Sequence, residues 1–326
     1  MPGRLQLRID PWPAEYDAPL QFEAAAESST RQVDSNVESA QWRALPGSAF
    51  SMGGGLLFVD GSRRVETRLL ADHNGRIVHG LFGSLAVGAV RTGRPKARYE
   101  EIRVQRYLLM GHGIAQSERV RVGEQRVDFE ECPVIKNSPL EVMAALQNRM
   151  REAEAHLAES LTQRADCIFV DGPLTYFSAI RQAAVGVIKT LQQPYLEAGR
   201  LGLVRQLQKG YRTPLFAILD GKADRYSWYL RVADPPPLDH PLSGVLRLEV
   251  RQGLGLEAAQ RLADLSAAVL PRFASTSIRD PRAPQNLLPI GALEDELRRR
   301  MGDPLCLRRA IERQLFRAAG LHRNAA

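Results

Sequence analysis

Cysteine is scarce: Cys132, Cys167 and Cys306 are the three in 326 residues. They stand apart, with no C-x-x-C and no neighbouring histidine, which excludes a structural zinc site and a disulfide framework. Such usage fits a reducing cytoplasm, the expected location. Long apolar runs are missing too. No window approaches 18 consecutive apolar residues, so no membrane-spanning helix is expected. The opening, MPGRLQLRIDPWPAEYDAP, has no apolar core and does not read as a signal peptide. Low-complexity tracts are absent, and there is no internal repeat beyond one short echo.

What is present is an ordinary globular balance, 44% apolar and 25% charged, in a chain long enough for one large α/β domain or two small ones. The 44 Lys and Arg outweigh the 37 Asp and Glu, giving a formal net charge of +7. That surplus favours an anionic partner, nucleic acid first.

The echo carries chemistry. In GLLFVDGSRR an apolar run ends in Asp60, followed at once by Gly61; in CIFVDGPLTYF the same happens at Asp171 and Gly172. Both read as strands that end in an aspartate and turn. A carboxylate at the end of a buried strand is costly unless something compensates it, and a metal ion between the two is the obvious compensation. Asp-Gly after a strand is also a common turn, and Asp220-Gly221 in FAILDGKADRY reads as nothing more than a hairpin.

The surrounding elements fall in a recognisable order. Residues 1–50 read as an arm or irregular lead-in with one short strand in RLQLRI. After Asp60, HNGR marks a tight turn between two β runs, and YEEIRVQRYLLMG reads as a third strand. Residues 139–164 read as a helix, with Pro139 at its start, Ser138 as N-cap, and apolar positions at helical spacing. ADCIFVDG follows as a strand, TYFSAIRQAAVGVIKTLQQPYL as a helix, then TPLFAILDG, RYSWYLRVA and SGVLRLEV as strands. GLEAAQRLADLSAAVL and the basic tail read as helical.

That order is the one of a ribonuclease H-like α/β fold. It is a mixed sheet, an antiparallel meander followed by a parallel strand, flanked by helices. The expected division is a lead-in at 1–50, a nuclease domain at 51–305 and a basic helical tail at 306–326. Such folds carry acids on the first strand, on the helix after the third strand and at the end of the fourth. Together these hold one or two divalent ions for phosphodiester hydrolysis. Carboxylate oxygens suit Mg²⁺ or Mn²⁺. At about 100° per residue, Glu154 lies about 40° from Met150, inside the apolar stripe, whereas Glu152 and Glu159 lie about 160° and 180° away. Glu154 is therefore the helix acid that the geometry selects; the alternative is an acid at the stripe's edge, reaching for water.

LLFVDGSRRVETRLL, MREAEAHLAESLTQRADCIFVDGPL, AVGVIKT and RYSWYLRVA together resemble the NurA family of nucleases. LPRFASTSIRDPRAPQNLLPIGALEDELRRRMGD resembles its bacterial branch. The resemblance spans roughly residues 50–305. It implies a manganese-dependent exonuclease and endonuclease acting on DNA single strands and ends, typically 5′ to 3′. It also implies a homodimer that works with the hexameric translocase HerA in end resection for recombinational repair. Carried over by position, Asp60, Glu154 and Asp171 are the metal ligands, with Glu152 the alternative on the helix. Many members place an aromatic residue or a histidine near the metal after an Arg-Tyr or Arg-Phe pair. Here Arg272 and Phe273 are followed by neither His nor Tyr, which leaves Asp280, Asn286 and Glu294 as candidates for a fourth ligand. Lys189 is a candidate phosphate or transition-state contact, with a solvent-exposed helix lysine as the plain alternative.

Candidate phosphate contacts are Arg94, Lys96, Arg98, Arg103, Lys209 and Arg212. Candidate stacking aromatics are Tyr176, Phe177, Tyr211, Tyr226 and Trp228, each of which also fits a core role. Two other functions compete. An actin-like or sugar-kinase-like ATPase needs a glycine-rich phosphate turn, and DGSRR puts two arginines there instead. A non-catalytic scaffold would have lost one of the three acids, and all three are present.

Overall fold

The computed structural model describes residues 7–9, 32–48, 55–93, 96–177, 183–189, 195–221, 223–235, 237–276, 278–280 and 282–319. Short strands β1 (Leu7–Ile9), β2 (Gln32–Asp34) and β3 (Leu45–Pro46) precede two very long ones, β4 (Leu56–His73) and β5 (Arg76–Thr92). Asn74 and Gly75, both at positive φ, make the tight turn expected at HNGR. β6 (Arg98–Met110) completes an antiparallel meander, and the hairpin β7 (Glu118–Val122) and β8 (Gln125–Pro133) extends it, β8 pairing parallel to β6.

Helix α1 (Pro139–Leu161) begins where the cap chemistry puts it: Ser138 Oγ accepts from the Glu141 N–H at 3.2 Å, and Pro139 opens the first turn. Strand β9 (Cys167–Asp171) then pairs parallel to β4, and β10 (Ala184–Ile188) pairs parallel to β9. The central order β6-β5-β4-β9-β10 is the mixed ribonuclease H-like sheet. After α2 (Ala198–Gln206) and β11 (Tyr211–Arg212), strands β12 (Phe216–Leu219), β13 (Arg225–Arg231) and β14 (Val245–Arg251) widen the sheet beside β10. Helices α3 (Leu256–Val269), α4 (Leu288–Arg300) and α5 (Pro304–Ala318) close the described chain.

Alternation along the central strands divides the core. Leu57, Val59, Ile168 and Val170 pack with Met143, Leu146 and Met150 of α1. Phe58, Phe169, Val185 and Val187 pack on the opposite face with Leu262 of α3 and Leu293 of α4. Farther along β4, Leu69 and Ala71 pack with Leu307 and Ile311 of α5.

Three expectations change. AVGVI is a strand, not part of a helix; residues 178–182 and 190–194 of that expected helix lie outside the described residues. A strand buried on both faces is apolar throughout and carries no period to distinguish it from a buried helix. Asp60-Gly61 makes no turn, because β4 runs straight through it to His73. The lead-in joins the sheet, β2 pairing with β12 and β3 with β11.

Candidate active site

The parallel register of β4 and β9 ends at Val59 opposite Val170, so Asp60 and Asp171 are the next residues of adjacent strands. Alternation puts both on the face of Phe58 and Phe169. Asp60 is 4% exposed, and its Oδ1 accepts from the Gly61 N–H at 2.8 Å. Gly61 keeps α1 close, since a Cβ there would stand 3.0 Å from Met150 Cγ. Asp171 does end its strand: Gly172 turns at φ +96°, and its N–H donates to Val187 O at 2.9 Å. Because β10 is a strand, Lys189 leaves its end beside Asp171 and pairs with Oδ1 at 2.8 Å, rather than projecting from a helix into solvent.

Glu154 reaches the cluster from α1 and is 2% exposed. Arg151, one turn earlier, ties the helix to β9: its Nη1 donates to Glu154 Oε2 at 2.9 Å and to the Asp171 carbonyl at 2.7 Å. Glu154 Oε1 is buried and has no hydrogen-bond partner among the described residues. Burial pushes the Glu154 carboxyl up to about 7, with Arg151 opposing and Asp171 adding to the rise. Burial also raises Asp60 well above the usual carboxylate range; Asp171 and Glu154 add to this, Lys189 opposes it, and Glu294 contributes further.

A buried excess of negative charge with an unpartnered carboxylate oxygen fits a hard divalent cation in its donor chemistry. The arrangement itself is not a ready-made cage. Among the described residues no three His, Cys, Asp or Glu side chains stand together as a metal-holding group. Lys189 and Arg151 carry the compensating positive charge instead.

The model of the NurA domain matches residues 54–290, well over half of the chain. The chain belongs to the NurA domain family. Among solved structures, the NurA nuclease from Sulfolobus solfataricus is similar at 9% identity, over 78% of this chain and 81% of that one, with a TM-score of 0.44. The comparison with curated proteins gives no match.

The three fourth-ligand candidates lie around Lys189 and α4, Asp280 and Asn286 inside the matched NurA domain and Glu294 just beyond it. Asn286, 1% exposed, accepts from Lys189 Nζ at 2.7 Å and donates to Asp280. Burial works to raise the Asp280 carboxyl, but hydrogen bonds from Arg282 and Asn286 win and hold it at about 2. Glu294 accepts from Arg282 at 2.7 Å and from Arg298 at 2.5 Å. Glu152 points elsewhere, near Arg149 at 3.4 Å with both side chains about half exposed.

Several candidate DNA contacts are structural. Arg212 is 2% exposed and clamps Glu38 and Asp264, so it contacts no phosphate. Trp228 is fully buried, with its indole N–H on Ser266 Oγ, and Phe177 is buried, so neither stacks on a base. Tyr211 and Tyr226 are half-buried. Tyr176 remains 40% exposed, its hydroxyl on Asn148 Oδ1 at 2.8 Å. Lys96, Arg98, Arg103 and Lys209 are exposed, Arg98 pairing with Glu100 and Arg103 with Glu101; Arg94 lies outside the described residues. Sequence reasoning missed Arg151. Its position three residues before Glu154, one turn away on the helix, was the available signal.

Proposed function

We propose that this chain is a divalent-cation-dependent nuclease that hydrolyses DNA phosphodiesters. Mn²⁺ is the preferred ion, with Mg²⁺ as the alternative, and Asp60, Glu154 and Asp171 are its ligands. The observation that carries this is the convergence of Asp60 and Asp171 on adjacent strands with a buried Glu154 whose Oε1 lacks a partner among the described residues. Membership of the NurA domain family supports the same reading. Its finer form is cleavage of single strands and ends, 5′ to 3′ as exonuclease and internally as endonuclease. The chain would act as a cytoplasmic homodimer with a HerA-type hexameric ATPase in end resection.

When bound, a divalent cation supplies Lewis-acid polarisation and charge compensation for in-line displacement at phosphorus. The chain's own residues do the rest. The apolar floor of Phe58 and Phe169 holds the strand carboxylates in a low-dielectric setting, where fixed charges act strongly. Lys189 serves as a point charge for a phosphate oxygen, while Asn286 holds its ammonium in place. Arg151 fixes the separation between α1 and β9, and with it the position of Glu154 relative to Asp171.

One observation favours a second reading. Ion pairs from Lys189 and Arg151 already compensate Asp171 and Glu154, as a non-catalytic scaffold would permit. Cleavage of end-labelled single-stranded DNA in EDTA, Mg²⁺ and Mn²⁺ separates the two, with wild type beside Asp60→Ala. The nuclease reading expects cleavage that needs both the cation and Asp60. No cleavage in any condition, even with a HerA-type ATPase and ATP, would leave the scaffold.

A further inference from the structure

The turn after Asp171 is held by a residue of no assigned role. Glu249, on β14, is fully buried. Its Oε2 accepts from Arg247 Nη1 at 2.7 Å, and Arg225 Nε lies 3.1 Å away. Both arginines are themselves anchored: Arg225 pairs with Asp220 at 2.8 Å, and Arg247 lies over the Tyr195 ring at 4.6 Å. The other oxygen, Oε1, accepts from the Leu174 N–H at 2.9 Å, three residues beyond Asp171. A carboxylate acceptor makes this a strong bond to backbone.

Buried ion pairs in a central strand contribute little to stability compared with apolar residues of similar size. The bond to Leu174 gives this one a specific consequence. Gly172 donates to Val187 O, and Arg151 donates to the Asp171 carbonyl, so Glu249 supplies a further fastening of one short turn. Packing there is tight: a Cβ on Gly186 would stand 2.8 Å from Gly172 O and 3.1 Å from Glu249 Cγ.

We propose that Glu249 is a positioning residue for the acid cluster. It fixes the turn that carries Asp171 and so sets the affinity of the cluster for a divalent cation, a role that rests on the nuclease reading above. It touches no reacting atom. Residues that orient metal ligands from behind typically govern affinity by about 10–100-fold.

The test compares wild type, Glu249→Gln and Glu249→Leu in direct Mn²⁺ binding by calorimetry and in amide exchange of Leu174 without metal. Glutamine keeps an acceptor for the Leu174 N–H; leucine removes it. Glu249→Leu is expected to weaken Mn²⁺ binding about tenfold and to speed exchange at Leu174, whereas Glu249→Gln stays close to wild type in both. Should Glu249→Leu lack a cooperative melt, Gly186→Ala replaces it. That variant crowds the turn without removing a charge, and the same tenfold loss is expected. Wild-type Mn²⁺ affinity in the folded leucine variant, or in Gly186→Ala if that stands in, would overturn the positioning role alone, as would a glutamine variant as weak as the leucine one. No Mn²⁺ binding by wild type would overturn the nuclease reading itself.

Discussion

Asp60 and Glu154 are held in the fold against their own charge. Neutralising Glu154 should therefore stabilise the metal-free protein while removing activity. Glu154→Gln, measured in EDTA at pH 8, is expected to gain about 1 kcal/mol, roughly 2 °C in Tm. Its cleavage in Mn²⁺ should fall by more than about 100-fold. A lower Tm with cleavage intact would remove Glu154 from the site. Glu152→Gln should change stability by less than about 0.5 kcal/mol, because its one pair is long and half exposed. Glu154 was legible because an acid inside an apolar helical stripe is an anomaly that helix geometry exposes. Glu249 was not. In SGVLRLEV the charged residues alternate with apolar ones, as they would on a solvent-facing strand, and only the packing of the Leu174 turn on Glu249 and of Tyr195 on Arg247 makes that face interior.

At the scale of elements, α1 is the piece that brings an acid from one layer to aspartates on the sheet. Its N-cap is local and remote from the acids, so stability and catalysis should separate there. Ser138→Ala is expected to cost about 1 kcal/mol, read as a lower urea midpoint with unchanged m-value. Cleavage per folded molecule should be unaltered; a drop in that rate would show that the cap also sets where Glu154 sits. The helix boundary was readable from Ser138, Pro139 and the apolar spacing. β10 was not, so the pairing of Lys189 with Asp171 was hidden even though Lys189 stood out as a candidate phosphate contact. The continuation of β4 through Asp60-Gly61 was hidden as well, since Asp-Gly reads locally as a turn and only the packing of Met150 on Gly61 requires a strand glycine.

At the scale of the whole molecule, a residue of the lead-in locks the far half of the sheet. Glu38 accepts from Arg212 Nη1 and Nη2, each at 2.9 Å, and from the Leu215 N–H. Burial works to raise the Glu38 carboxyl, but Arg212 outweighs it, so its pKa lies below the ordinary 4.5. A depressed acid contributes stability that is present above its unfolded pKa and lost as pH falls through the folded one. Glu38→Gln should therefore cost about 2 kcal/mol at pH 7, because it weakens charge-assisted bonds to a buried guanidinium that keeps Asp264 as its remaining carboxylate. The cost should shrink as the medium is acidified below about 4.5. Equal losses at pH 7 and pH 3, by urea unfolding, would sink this account. Glu38 and Arg212 lie far apart in sequence with nothing local to join them, which is why the lead-in reads as irregular from its residues alone. The pairing of β4 with β9 has a consequence in time. Asp60 and Asp171 are roughly 110 residues apart in sequence, so the ribosome emits the first aspartate about 5–20 s before the second. Lys189 and Asn286 come later still. A nascent chain thus holds no assembled cluster, and whatever cutting power the finished protein has stays unarmed until translation is nearly over.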